Sequence, residues 1–358
     1  MTVKADKKLE RLFFFGRPFS PLYGFLMTWR SSLYRQGILK QHELEVPVIS
    51  IGNLVLGGTG KTPLVHYIAR LLLRHSRKPA ILSRGYKGSA ATEINIVSNT
   101  TDILLEAAEA GDEPRLLAEK LPGIPVITGK KRYATGRFAI DSFGADALIL
   151  DDGFQHLALK RNLDLVLFNA RKCLGNGRVL PGGELREPVA ALERADAFII
   201  SNSESTLDSN AKEFIRFLGS SYPEKPIFSG IYQPETMLIR VHNGKYDTIP
   251  QGQAVQMRLY GFCGIAGPES FKKTLETSGM KLAGFQAYAD HHDYTAENMA
   301  TLLDKARKLK ADGLITTEKD LVKLRTMFPG EIPLLALPVQ LRFDENFDRF
   351  LLSHLARN

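Results

Sequence analysis

The sequence predicts an α/β protein: a core with a mainly parallel sheet flanked by helices, a smaller C-terminal α/β domain, and an N-terminal amphipathic helix. Three observations predict it. Residues 46–63, VPVISIGNLVLGGTGKTP, pass from an apolar, β-branched run through a glycine-rich turn into a helical pattern. Short apolar runs then alternate with helical patterns as far as residue 200. Near residue 225 Ser, Pro and Lys gather, and alternation resumes beyond them. At 358 residues the chain has room for two domains of about 100–200 residues each. We expect an amphipathic segment at 1–40, a core at 41–225 and a smaller domain at 226–358, with the boundary within about ten residues of 225 and the last helix, 345–356, either packing on that domain or returning to the core.

Residues 12–29, LFFFGRPFSPLYGFLMTW, are aromatic and apolar, but Arg17, Pro18 and Pro21 interrupt them. A membrane-crossing helix is therefore not expected, and the order of a cleaved signal peptide is missing. Phe15, Phe19, Leu22, Tyr23, Leu26, Trp29 and Leu33 recur at threes and fours, while Arg30, Ser31, Ser32 and Arg35 fall largely on the other side. Residues 12–35 thus read as a helix lying in a membrane interface, with basic residues for anionic head groups. The competing reading packs that stripe on the protein's own core. The net charge is +8, and residues 1–40 hold eight basic residues against Asp6 and Glu10. Because this excess sits among Phe, Leu and Pro, it favours an anionic membrane over nucleic acid.

The run 46–51 reads as a buried strand. Gly57, Gly58, Thr59 and Gly60 form the turn, and Leu64, Val65, Ile68, Leu71 and Leu72 stripe the helix that follows. Strand, glycine loop and helix make a phosphate cradle. The amides turn inward, the helix N-terminus adds positive charge, Lys61 reaches the outer phosphates, and Thr62 offers a hydroxyl to Mg²⁺. This is the signature of a P-loop NTPase core. The strict pattern wants Gly at 55, where Val55 stands, but the tail Gly-Gly-Thr-Gly-Lys-Thr is intact.

Further strands are expected at 79–82, 94–97, 126–127, 147–150, 163–168 and 197–200. Ligands of such sheets gather at the carboxyl ends of the strands, and four polar motifs sit there. Ser83-Arg84-Gly85-Tyr86 is a substrate contact or an ordinary turn. Gly111-Asp112-Glu113-Pro114 precedes a helix, which Asp112 is expected to cap. Asp151-Asp152-Gly153-Phe154-Gln155-His156 ends an apolar strand with the carboxylates that nucleotide-bound Mg²⁺ needs. In Leu180–Pro188, Arg186 could neutralise phosphate and Glu187 could join the metal shell; a surface ion pair is the plainer reading. The second domain carries Asp290-His291-His292-Asp293-Tyr294 after a strand. Neighbours on an extended chain point opposite ways, so one orienting His is expected rather than a His pair on a metal. Thr316-Thr317-Glu318-Lys319-Asp320 lacks the Lys two places before Asp that a guanine site wants. Cys173 and Cys263 lie far apart and read as reduced thiols in a cytosolic protein.

Taken together and in this order, VPVISIGNLVLGGTGKTP, LSRGY, GDEP, LILDDGFQH, LREP, ADHH and TTEKD resemble the tetraacyldisaccharide 4′-kinase family of lipid A biosynthesis. They span residues 46–320. The resemblance implies transfer of the γ-phosphate of ATP to the 4′-hydroxyl of a tetraacylated glucosamine disaccharide 1-phosphate, giving lipid IVA. It implies a peripheral protein, expected to be a monomer, at the cytoplasmic face of the bacterial inner membrane. By motif, Gly57, Gly58, Thr59, Gly60, Lys61 and Thr62 would hold ATP. Thr62, Asp151, Asp152 and Glu187 would serve Mg²⁺, and Lys61, Asp152 and Arg186 would serve transfer. An Asp–His pair that activates the hydroxyl maps onto Asp112 and His291. Arg84, Gln155 and His156 are candidate substrate contacts. The alternative is a switch ATPase or GTPase of the metallochaperone type without a lipid acceptor. Against it, Leu56 stands where many such ATPases carry a second lysine, and no cysteine pair is present to pass on a metal.

Overall fold

Strand β1 (Val48–Gly52) is buried along its whole length and lies at the middle of the principal sheet. Around it the chain lays down β2 (Pro79–Ser83), β3 (Asn95–Ser98), β4 (Val126–Thr128), β5 (Ala147–Asp151), β6 (Leu163–Asn169), β7 (Ala197–Asn202) and β8 (Ile227–Pro234). The remaining strands are β9 (Met237–His242), β10 (Lys245–Pro250), β11 (Arg258–Cys263), β12 (Lys281–Ala287), β13 (Gly313–Thr317), β14 (Leu334–Leu337) and β15 (Val339–Arg342). This computed structural model describes residues 11–58, 60–86, 88–90, 92–202, 207–243, 245–325 and 327–356.

The chain forms two compact units, Met1–Ile231 with Leu341–Asn358, and Tyr232–Gln340. The first holds the nine-stranded sheet, ordered β15-β8-β7-β6-β1-β5-β2-β4-β3. Its pairings from β8 through β4 are parallel, and β3 adds an antiparallel edge. β1 lies between β5 and β6, so the glycine loop that leaves β1 has the loops after β5 and β6 for neighbours. Near-continuous apolar strands such as Leu163–Asn169 are what a sheet covered on both faces requires. One core face is filled by Phe154, Phe168, Phe198 and Phe214, the other by Leu44, Leu82, Leu148 and Leu159.

The second unit holds a six-stranded sheet, ordered β10-β9-β14-β13-β11-β12, parallel from β14 to β12 and antiparallel at β9 and β10. The helix Ala296–Lys308 opens on a Thr295–Asn298 capping box and buries Met299, Leu302, Leu303 and Ala306.

The crossing falls at 231/232, within ten residues of the boundary expected near 225, and residues 341–358 belong to the first unit, so of the two placements left open for the last helix the return to the core is the one seen. The helix Glu345–Ala356 is tied there by Tyr67, whose hydroxyl donates to Asp348 at 2.6 Å, and by Phe343 and Phe347 packed around the Tyr67 ring. The aromatic spacing of residues 343–350 carries no information about which unit it will cover. Among the described residues, no helix is long and apolar enough to cross a membrane.

Candidate active site

The glycine loop is placed by a close approach. A Cβ on Gly52 would lie 2.4 Å from Phe154 Cβ, so only glycine at the end of β1 lets Phe154 wedge into the core there. The turn after β5 is then pinned by the Gly153 N–H, which donates to Ile51 O at 3.0 Å. Asp152 consequently holds a left-handed backbone, φ 58, and faces the loop. Gly60 is left-handed (φ 87) and opens the helix Lys61–Arg74. Thr59 lies outside the described residues, as do Lys4, Lys7 and Lys8.

Lys61, Asp152 and Arg186 form one charged row. Lys61 Nζ stands 3.3 Å from Asp152 Oδ1, and Arg186 Nη1 reaches both Asp152 oxygens at 2.8 and 2.9 Å. Burial opposes ionisation of Asp152, but Lys61 and Arg186 outweigh it and hold the carboxyl below its ordinary value. Lys61 also donates to Asn53 Oδ1 at 3.2 Å, and buried Asn53 is anchored through Val55 O. Two cations thus share one carboxylate beside a glycine loop and a helix N-terminus. An incoming polyphosphate would find both cations already oriented.

Asp151 is the contrasting neighbour. It is buried, and its Oδ2 accepts from Ser83 at 3.3 Å while Oδ1 has no partner among the described residues. Burial, reinforced by Glu113, pushes its carboxyl well above the usual range. Glu113 belongs to the GDEP turn, so that turn lies beside the paired aspartates, with Asp112 buried. Asp112 does not cap its helix. Gly111 is the N-cap residue, its φ of 90 is open to glycine, and Asp112 is the first residue of Asp112–Lys120.

Glu187 is buried; its Oε2 accepts from Arg194 at 2.7 Å, and its Oε1 has no partner among the described residues, as with Asp151 Oδ1. Arg194 also covers the Phe154 ring at 4.5 Å. Among the described residues no three carboxylate, His or Cys side chains converge. Nor do Arg186 and Glu187 pair with each other, since successive residues of this loop face different partners.

Gln155 donates to Asn53 O at 3.1 Å and accepts from Arg186 at 3.4 Å. His156 is lowered to about 4 by burial and then by Arg132, Arg161, Arg30 and Arg84, so it is neutral at physiological pH within a basic surround. Arg84 is exposed. Arg132 is buried and held by Gly129 O at 2.6 Å, and burial lowers it to about 10 despite Asp151 nearby. Sequence reasoning missed Asn53, Glu113 and Arg132. Glu113 stood inside a quoted motif, whereas Asn53 and Arg132 carry no spacing signal.

In the second unit His291 and His292 lie in a turn, not on extended chain. They still diverge. His291 Nε2 is 3.1 Å from Lys319 Nζ, whereas His292 Nε2 is 2.8 Å from Asn298 Oδ1 and its ring stacks on Tyr288. In TTEKD, Thr317 caps a short helix and Asp320 is wholly buried. Both cysteines are free.

The N-terminal helix Ser20–Arg35 seats a small-residue face on the Arg186 loop. Ser20 Oγ donates to Val179 O at 2.8 Å and accepts from the Gly182 N–H at 2.9 Å, and Gly24 faces Val179 and Pro188. Tyr23 donates to Arg186 O, and Arg30 to Gln155 O. This helix exposes Leu22, Phe25, Leu26 and Trp29, and the segment before it exposes Phe15 and Phe19. Tyr23 and Leu33 of the expected stripe are instead half-buried, and Phe25 joins the exposed set. The stripe does not pack on the protein's own core.

A parallel sheet with a glycine loop after its central strand, a lysine at the following helix and a carboxylate shared with an arginine defines a P-loop phosphotransferase, an ATP-dependent kinase. The family profile of tetraacyldisaccharide-1-P 4′-kinases matches residues 12–356. The chain is 46% identical over 351 residues to a tetraacyldisaccharide 4′-kinase of Desulfotalea psychrophila, covering 98% of this chain and 99% of that one. To the Syntrophus aciditrophicus protein of that name it is 40% identical over 343 residues, 94% and 91% of the two chains. A crystal structure of LpxK from Aquifex aeolicus in complex with ATP superposes with a TM-score of 0.73 at 31% identity, covering 94% of this chain and 98% of that one. The chain belongs to the tetraacyldisaccharide 4′-kinase family of lipid A biosynthesis. The metallochaperone-type switch ATPase is not favoured.

Proposed function

We propose that this chain transfers the γ-phosphate of ATP to the 4′-hydroxyl of a tetraacylated glucosamine disaccharide 1-phosphate, forming lipid IVA. The observation that carries this reading is the Lys61–Asp152–Arg186 row at the glycine loop. Phosphoryl transfer is mostly positioning and charge neutralisation, and that row supplies both. Gly57, Gly58 and Gly60, with Thr59 by motif, would cradle the phosphates in this loop, and Lys61 would reach the outer two.

Mg²⁺ fits the residues present, because Asp151 Oδ1 is a buried acceptor without a partner. Thr62, Asp151, Asp152 and Glu187, whose Oε1 is likewise without a partner among the described residues, would hold the ion, which supplies neutralisation of phosphate charge when bound. Asp112 takes the acceptor proton as the new O–P bond forms and the β–γ bridging bond breaks, with ADP leaving. His291 would orient Asp112 once substrate binding brings the two together, and Arg84, Gln155 and His156 would face the acceptor. If Asp112→Asn and His291→Ala both keep near wild-type turnover, this pairing fails.

The acceptor's acyl chains stay in the bilayer, so the enzyme works there as a peripheral monomer at the cytoplasmic face of the inner membrane. Four exposed apolar side chains on that helix, with Phe15 and Phe19 just before it, support this placement. Deleting the helix would also remove the seat of the Arg186 loop, so surface substitutions test it better. Leu22→Ser with Phe25→Ser and Trp29→Ser should lower partitioning onto anionic vesicles at least tenfold; unchanged partitioning would refute the placement. The activity itself is tested by incubating γ-labelled ATP, Mg²⁺ and the disaccharide lipid in micelles. Label should enter the 4′ position with wild type and not with Lys61→Ala. Phosphate released to water without labelled lipid would return the switch-ATPase reading.

A further inference from the structure

The loop that carries Lys61 has no second lysine of its own, since Leu56 precedes Gly57. A lysine from elsewhere reaches that place. Lys172 follows β6, and its N–H donates to Asn169 O at 3.0 Å. Its side chain extends until Nζ would lie 3.4 Å from a Cβ placed on Gly57, whose φ is +99. Position 57 is three before Gly60, on the part of a phosphate loop that curls around the outermost phosphate. A cation over Gly57 therefore stands over the phosphoryl group to be transferred.

Lys172 is held there by Glu184, Nζ to Oε1 3.5 Å. Glu184 is itself fixed to the loop: its carbonyl accepts from the Leu56 N–H at 2.8 Å, and the adjoining Leu185 bridges Val55. Its carboxylate fits because residue 175 is glycine, where a Cβ would lie 2.1 Å from Oε2. The Lys172 side chain is 41% exposed and that of Glu184 21%. So exposed a pair is weak and exchanges its partner readily for a phosphate.

We infer that Lys172 is a catalytic residue that leaves Glu184 for the γ-phosphate of bound nucleotide and stabilises the charge of transfer, as an arginine finger supplied in cis does. It rests on the phosphotransferase reading above. Lys172 keeps its proton throughout. Electrons move only as the acceptor oxygen bonds phosphorus and the bridging oxygen departs on ADP.

Lys172→Met, Lys172→Arg and Glu184→Gln, each checked for folding by thermal unfolding, separate a charge at the phosphate from a tie between loops. Lys172→Met should lower kcat on the order of 10²-fold with KM for ATP changed less than about threefold. Lys172→Arg should recover at least a tenth of wild-type kcat, and Glu184→Gln should stay within about threefold of wild type. Equal losses in Lys172→Met and Glu184→Gln would show a loop tie and overturn the inference, as would a Lys172→Met enzyme within threefold of wild type. Should Lys172→Met not fold, Lys172→Gln replaces it with the same expected values. If wild type itself labels no lipid, the acceptor assignment has failed, and the same variants are read on phosphate release from ATP.

Discussion

Each unit buries an aspartate, Asp151 at the end of β5 and Asp320 in the helix that follows β13, and the two are treated in opposite ways. Asp320 accepts from the Gly264 N–H at 3.1 Å, Thr317 at 2.7 Å and Tyr294 at 3.0 Å, with Lys323 Nζ 3.7 Å away. Asp151 has Ser83 alone at 3.3 Å and one bare oxygen. Burial pushes Asp151 up, whereas three donors converge on Asp320; burial and then the neighbouring Asp320 push the Tyr294 phenol up. A saturated buried carboxylate holds structure together. An unsaturated one beside a phosphate loop costs stability and is retained for what binds there.

The largest effect expected from this contrast is kinetic. Lys61→Ala and Arg186→Ala each strip a cation from Asp152 and should lower kcat by about 10³-fold, with Lys61→Ala the worse. A Lys61→Ala enzyme within tenfold of wild type would end the poised-site reading. Next comes a reversal between kinds of damage. Asp320→Ala should cost about 3–5 kcal/mol in chemical denaturation, because it strands three donors and removes the carboxylate beside Lys323, which keeps its bond to His292 O. Asp151→Asn should leave metal-free stability unchanged or higher, yet lower kcat about 10²-fold. Equal destabilisation by the two would make Asp151 a structural residue.

The smallest effect is in pH. His156 and His66 are both lowered to about 4 by burial, against an ordinary value near 6.5. On acidification the unfolded chain takes up these protons first. Stability is therefore full above about pH 6.5 and is lost progressively as pH falls to about 4. His156→Gln should flatten that slope in denaturation curves taken across the interval. A slope unchanged in His156→Gln would show that His156 titrates alike in both states.

Much of the first unit could be read along the chain. The glycine loop with Lys61 and the Asp151–Asp152 turn are local words, each spelled within a few residues of one strand end. What could not be read is what folding brings from afar. Glu113 reaches Asp151 only because β1, β5 and β2 lie side by side. Glu187 gains a partner in Arg194, seven residues on, that the motif around it does not announce. Lys172 has no neighbour that marks it, and its place over Gly57 depends on the turn that follows β6. The return of Glu345–Ala356 rests on one Tyr67 hydroxyl and a handful of rings, a pattern that any amphipathic helix end shares.

The seat of the N-terminal helix has a consequence for which spellings of that helix can persist. A side chain on Gly16 would meet Pro181 O at 2.2 Å, and one on Gly182 would meet Ser20 Oγ at 2.3 Å. Gly16, Ser20 and Gly24 fall every fourth residue, so the helix carries two independent messages at once. The inner one is written in letters of fixed size and admits almost no synonym. The outer one, written by Leu22, Phe25, Leu26 and Trp29, asks only for grease and can be respelled freely. A library randomised across residues 12–35 would lose its inner alphabet to a few small residues while its outer alphabet drifted among all the large apolar ones.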